Sequence, residues 1–198
     1  MNVTAIILAA GASRRMGTQK LLLPFAGKTV IEHVIDQVIT GGLTDIIAVV
    51  GVDPAVAEAA GRRSVRIIRN DQPDQGMLSS VRCGFRSVSD TCDAALVVLG
   101  DQPSICGALV IRILEASRTS PGKILAPSFD GARGHPLLVP MRYRDEVLTR
   151  YDDEGLRGLL RTHAGDVLEL TADPSVLADM DDLADYRREL KRHADGLL

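Results

Sequence analysis

Tryptophan is absent from this 198-residue chain, and phenylalanine and tyrosine bring the aromatic share to only 3%. A chain that is nonetheless 45% hydrophobic must build its core from aliphatic side chains. Cysteine is scarce too. Cys83, Cys92 and Cys106 are odd in number and form no C-x-x-C pair. That excludes a disulfide framework and a zinc-ribbon spacing, and it suits a reducing compartment. There is no basic excess: the net charge is −3. This argues against a general nucleic-acid binder, but a local cluster of cations can still hold a small anion. Long apolar runs are missing as well. None approaches the roughly 18 residues a membrane span needs, and the N-terminus has neither a basic n-region nor an apolar segment with a cleavage site. The expectation is a cytoplasmic protein with no membrane or nucleic-acid partner. Without repeats, low-complexity tracts or a linker, it is expected to be one domain over 1–198.

What is present alternates. Val3 to Ala10 is a continuous apolar run, as in a strand buried on both faces. Thr29 to Thr40 has apolar residues at Ile31, Val34, Ile35 and Val38, a helical spacing that Gly41-Gly42 ends. Asp45 to Gly51 is a second strand, and Asp53-Pro54 caps a helix running to about Arg62. Val65 to Arg69 and Ala94 to Leu99 are further strands, with a helix over Met77 to Val88 between them. Ser104 is expected to cap the next helix. The remainder predicts two short strands around Asp130-Gly131, one or two helices over Arg142 to His163, a strand over Val167 to Leu170, and a charged, solvated helix over Asp182 to His193. Strands alternating with helices predict an α/β fold, a Rossmann-like three-layer sandwich. Its sheet is mainly parallel, with an antiparallel element in the C-terminal half. In such sheets ligands bind beyond the carboxyl ends of the strands. The segments after Ala10, Arg69 and Leu99 are therefore the ones to read for chemistry.

The first of these is "GASRRMGTQK". Glycine lets a backbone turn sharply, and successive N–H groups in such a turn form a concavity for anions. Arg15 can fork onto phosphate oxygens, and Lys20 can deliver a point charge. Arg14 is expected to face solvent. The spacing fits neither a Rossmann fingerprint, because Ser13 and Met16 stand where glycines would be needed, nor a Walker loop, because Leu21 follows the lysine.

The stretch "LAAGASRRMGTQKLLLPFAGKTVIEH" resembles the signature of the MobA-like nucleotidyltransferases, L-A-[AG]-G-x-[GS]-x-R-M-G-x-x-K, at every position. The resemblance continues through "NDQPDQGMLSSVRCGF", "VVLGDQPSI", "GHPLLVP" and "DMDDLADY". Within the family it is most similar to the molybdenum cofactor cytidylyltransferases. It implies CMP transfer from CTP to the phosphate of molybdopterin with release of pyrophosphate. Guanylyl transfer, and transfer to a sugar or polyol phosphate, stay open as alternatives, as does a non-catalytic role in delivering the cofactor. A molybdoenzyme or its maturation factor is an implied partner.

The resemblance also distributes roles. Leu8, Ala9, Ala10, Gly11, Ala12 and Ser13 would surround the nucleotide. Ala10 stands where the guanylyl branch carries glycine, and its methyl would narrow the site beside the base. Arg15 and Lys20 would stabilise charge on the triphosphate. Asp101, at the end of a buried strand, suits Mg²⁺ held by one or two carboxylates plus substrate oxygens. Asp181 matches a second family carboxylate, in a motif where Asp182-Leu183-Ala184 replaces T-P-E; it is either a second metal ligand or a helix cap. Asn70, Gly76, Ser79 and Ser80 would lie by the base and ribose, although the two serines could equally open the Met77 helix. His135 would line the acceptor site.

Overall fold

A computed structural model describes residues 1–13 and 15–196. Arg14 lies outside the described residues, so its expected solvent-facing role is left there. The chain opens with β1 (Val3–Ala9), the signature loop, and a small hairpin of β2 (Pro24–Phe25) and β3 (Lys28–Thr29). Helix α1 (Val30–Thr40) starts in a capping box: Thr29 Oγ1 accepts from the Glu32 N–H, and Glu32 reaches back to the Thr29 N–H. Then come β4 (Ile46–Val50), α2 (Pro54–Gly61), β5 (Arg66–Arg69), α3 (Met77–Ser87), β6 (Ala94–Leu99) and α4 (Gly107–Thr119). The C-terminal half supplies β7 (Ile124–Phe129), β8 (Ala132–Arg133), β9 (Leu137–Pro140), α5 (Arg144–Thr149), α6 (Leu156–Thr162), β10 (Val167–Thr171) and α7 (Leu183–Ala194).

The main sheet runs β10-β7-β9-β6-β1-β4-β5, with β8 on the side of β7. Neighbours β5, β4, β1 and β6 are mutually parallel, as are β7 and β10. Within this sheet, among the described residues, only β8 and β9 run antiparallel to their neighbours, β8 beside β7 and β9 wedged between β6 and β7. The strands are apolar on both sides because both faces are covered. Ala5, Ile7 and Ala9 face a layer with α1, α2 and α4, whereas Ile6 faces α3, α5 and α6. Gly84 of α3 permits that second contact, since a Cβ there would lie 2.3 Å from Ile6 Cγ2. The chain winds outward from β1 through β4 to β5, then crosses back to β6 on the other side of β1. The strand order reverses there, and the carboxyl ends of β1 and β6 open onto the crevice where such folds take ligands.

Three local expectations are corrected. Three strands, not two, lie between Lys123 and Met141: Asp130 and Gly131 turn β7 into β8 with φ of +49° and +76°, and β9 is a separate strand. Ser104 does not cap α4, which opens at Gly107 behind Cys106. Its hydroxyl instead bonds Glu189 of α7. For the same reason α7 is not merely a solvated helix: Glu189 is buried against the turn after β6.

Candidate active site

The signature loop is tied to itself. Ser13, at φ +50°, donates from Oγ to Gln19 Oε1 at 2.8 Å and accepts from the Lys20 N–H at 3.1 Å. Gln19 Nε2 reaches the Gly11 carbonyl at 3.4 Å and Asp53 at 3.5 Å. Gly17, at φ +65°, completes the turn. Leu8 and Ala9 belong to β1, Ala10 is buried at its end, and Gly11 and Ala12 are exposed beyond it. Two glycines that crowding demands flank the end of β1. A Cβ on Gly51 would meet the Ala10 carbonyl oxygen at 2.7 Å, and one on Gly100 would meet that of Leu8 at 2.7 Å. These residues follow β4 and β6 and let the chain pass close on both sides of the end of β1.

Lys20 is carried by the short turn after this loop. Its ammonium forms an ion pair with Asp101 Oδ2 and donates to the Met180 carbonyl at 2.6 Å. It also lies 3.6 Å from Asp181 Oδ1. Asp181 Oδ2 accepts from Arg15 at 3.0 Å, and the Arg15 side chain is 79% exposed. Such an exposed pair is weak, so the guanidinium is free to turn to another anion. The Met180 N–H donates to the Asp101 carbonyl at 3.1 Å and fixes the two acidic segments side by side. Asp181 is not the helix cap. That is Asp182, whose carboxylate accepts from the Ala184 and Asp185 N–H groups. The structure thus brings together Arg15, Lys20, Asp101 and Asp181 from positions 166 residues apart. Nearby Asp179 was not singled out in the sequence. Burial pushes its carboxyl up, and the charges of Asp101 and Asp181 push it the same way.

After β5, Asn70 is 2% exposed and its side chain is fully employed. Its amide donates to Ser79 Oγ at 2.8 Å and Ser80 Oγ at 2.9 Å, and its oxygen accepts from the Gln72 N–H at 2.9 Å. Ser79 in turn donates to the Gly76 and Gln72 carbonyls. Asn70 and Ser80 are therefore internal braces of the turn, while Gly76, at φ +84°, and the partly exposed Ser79 form its surface.

Beyond this turn lies a cleft of about 930 Å³. Leu78, Val81, Leu137 and Leu160 give it an apolar floor, and His135, Gln102 and Asp179 stand on its walls. Burial lowers the His135 pKa to about 4, so the ring is neutral at pH 7. The Val176 carbonyl joins two of these groups: it accepts from the His135 N–H at 3.1 Å and from Gln102 Nε2 at 3.0 Å. Gly134 makes room for that approach, since a Cβ would fall 2.1 Å from the same oxygen. The rim segment 150–155 is held by Arg82 of α3, which donates to the Val147 carbonyl at 3.0 Å, to Asp152 at 2.6 Å and to the Arg150 carbonyl at 2.8 Å. Gln19, Gln102 and Arg82 all fall inside the signature stretches, next to or near the residues singled out, but nothing in their spacing distinguishes a brace from a neighbour.

Residues 5–167 match the model of the MobA-like NTP transferase domain. The chain belongs to that family. Among curated proteins it is 33% identical over 169 residues to nicotine blue oxidoreductase of Paenarthrobacter nicotinovorans, covering 80% of this chain and 81% of that protein. Among solved structures, a nucleotidyl transferase from Methanothermobacter thermautotroptrophicus superposes with a TM-score of 0.86 at 27% identity, over 98% of this chain and 99% of that one. Rv0371c from Mycobacterium tuberculosis H37Rv gives 0.85 at 27% identity, over 96% and 98% of the two chains. A structure of that protein with manganese gives 0.78 at 26% identity, over 96% and 99%. The MobA-like fold accounts for the mixed sheet. No helix among the described residues is long and apolar enough to cross a membrane.

Proposed function

We propose that this MobA-like chain transfers CMP from CTP to the phosphate of molybdopterin and releases pyrophosphate, with Mg²⁺ as its metal. The observation that carries the reading is the meeting of Lys20, Asp101 and Asp181 at the strand ends, between the signature loop and a cleft with room for a second substrate. Two carboxylates are hard oxygen donors. Among the described residues no set of three or more His, Cys, Asp or Glu side chains is placed to hold a metal ion. That donor set suits Mg²⁺ or Mn²⁺ shared with substrate phosphates rather than caged by protein. Bound there, the metal supplies charge neutralisation at the phosphate oxygens.

The attacking group is a phosphate oxygen, already ionised at pH 7, so the chain need not supply a general base. What it supplies is alignment and positive charge. Arg15, loosely held, turns from Asp181 to the triphosphate. Lys20, anchored on Asp101 and the Met180 carbonyl, stays in the centre of the site. The loop N–H groups of Gly11 to Ser13 line the phosphate side, and Gly76 and Ser79 face the base and ribose over the brace of Asn70 and Ser80. Ala10 is buried at the end of β1, and its methyl favours the smaller pyrimidine. Neutral His135 lines the acceptor cleft as a hydrogen-bonding group rather than a cation. A cytoplasmic protein that hands its product to a molybdoenzyme or its maturation factor completes the proposal. The test is pyrophosphate release from Mg²⁺ and each NTP in turn, with molybdopterin as acceptor. Release with CTP alone is expected. Equal release with GTP removes the role given to Ala10. Release only with a different phosphorylated acceptor reassigns the substrate, and none with any pair removes the activity.

A further inference from the structure

Gln102 immediately follows Asp101, lines the cleft and is 2% exposed. Its Oε1 has no hydrogen-bond partner, the one buried side-chain nitrogen or oxygen among the described residues in that state. A buried acceptor left unpaired costs about 1–3 kcal/mol, and folded proteins rarely keep one without cause. Flipping the amide does not relieve it. The Val176 carbonyl can only accept, so Nε2 must face it, and that carbonyl already takes the His135 N–H as well. The oxygen is thereby committed to the one role the amide has left, receiving a hydrogen bond.

Among the charged groups lining the cleft, Arg133 is paired with Glu169 and Arg161 with Glu154, while Arg157, Asp153 and Asp179 have no ion-pair partner among the described residues. Gln102 Oε1 is thus an unfilled acceptor in a cleft that holds charge of both signs above an apolar floor. We propose that Gln102 Oε1 is a specificity-determining contact that accepts a hydrogen bond from an N–H group on the ring system of the acceptor substrate. The class it selects is a nitrogen heterocycle bearing amino or ring N–H donors, whose flat body rests on Leu78, Val81, Leu137 and Leu160. This rests on the cleft being the acceptor site of the proposed transfer.

The experiment compares wild-type protein with Gln102→Met, which keeps the volume and removes the acceptor. Molybdopterin binding is measured by calorimetry, CTP·Mg²⁺ binding alongside it, and thermal melting as the control. The expected result is a loss of molybdopterin affinity of about 5- to 150-fold, the range that ~1–3 kcal/mol of unmet hydrogen bonding corresponds to. CTP·Mg²⁺ affinity and the melting temperature should stay unchanged. Equal molybdopterin affinity in variant and wild type overturns the assignment and leaves the proposed activity standing. No binding of molybdopterin to the wild type overturns both. A variant that melts early, or loses both ligands together, shows a structural role and overturns it as well. Should the variant not fold, wild-type protein labelled with ¹³C at glutamine Cδ answers the question. The Gln102 signal is expected to move downfield on saturation with molybdopterin, and an unmoved signal overturns the proposal.

Discussion

The loop side and the cleft side of this site are built from different kinds of contact. The signature loop is closed by bonds spanning six to eight residues: Ser13 to Gln19, Ser13 to Lys20, Gln19 to Gly11. The cleft is closed across the chain. Arg82 reaches the segment after α5, Gln102 reaches Val176, and Arg133 reaches Glu169 on β10. A short-range device needs particular residues at fixed spacing, so it reads as a motif. A long-range device needs only complementary groups that the fold brings together, and many sequences can supply them. Lys20 belongs to both, leaving the loop to meet Asp101 and Asp181 where the two sides join.

The largest effect is expected at that junction. Asp101→Asn removes the charge that pairs with Lys20 and would help hold the metal, while keeping the size of the side chain. Turnover should fall by roughly 10²–10³-fold or more, as loss of several kcal/mol of charge stabilisation requires. Circular dichroism and the melting temperature should change little, because the pair lies at the strand ends rather than in the core. Near-normal pyrophosphate release would take Asp101 out of the site and dissolve the junction.

Two smaller substitutions separate the sides. Gln19→Ala unties the loop from Ser13, Gly11 and Asp53. It should weaken NTP binding roughly 5- to 30-fold, the worth of ~1–2 kcal/mol of hydrogen bonding, and leave the KM for the acceptor alone. Arg82→Ala frees the rim segment 150–155 and should do the reverse, raising the acceptor KM about 3- to 10-fold with NTP binding intact. Steady-state kinetics with each substrate varied in turn decides this. If either variant moves both KM values equally, the two sides are one cooperative unit.

The same division governed how much the sequence revealed. The parallel strands β1, β4 and β6 were legible as apolar runs because burial on both faces leaves no other composition. That Arg15, Lys20 and Asp101 meet beyond the strand ends was legible from the motif and from the rule that ligands lie there. The position of β9 was not, since a four-residue apolar run carries no sign of its direction or its neighbours. Ser104 was misread because a serine before a helical pattern looks like a cap, and only the packing of α7 assigns its hydroxyl to Glu189. Gln102 and Arg82 were in plain view, but their partners lie 74 and up to 70 residues away.

The last and smallest prediction asks whether acid reaches the cleft side first. Burial holds His135 at about 4, with the Arg157 charge pushing the same way and Asp179 opposing. In the unfolded chain the ring returns to the ordinary value near 6.5. The unfolded state therefore binds a proton that the folded state refuses between pH 6.5 and about 4, and stability contributed by the neutral ring is lost as pH falls through that window. On helix α1, burial raises the Glu32 carboxyl, but Thr29, Arg63 and Arg62 together hold it below its usual value. Its contribution is present above the unfolded carboxylate range and is lost only as pH falls through its lowered folded pKa. His33 is also pushed down by burial, so the wild-type slope is not due to one residue. The difference between wild type and His135→Gln isolates it. The ring is only partly covered, so about 1 kcal/mol is expected, short of the ~3 kcal/mol that the full shift would allow. Urea midpoints at pH 7 and pH 4.5 measure it. The variant should lose less stability than the wild type between those values, and equal losses would mean that His135 titrates normally in the folded protein.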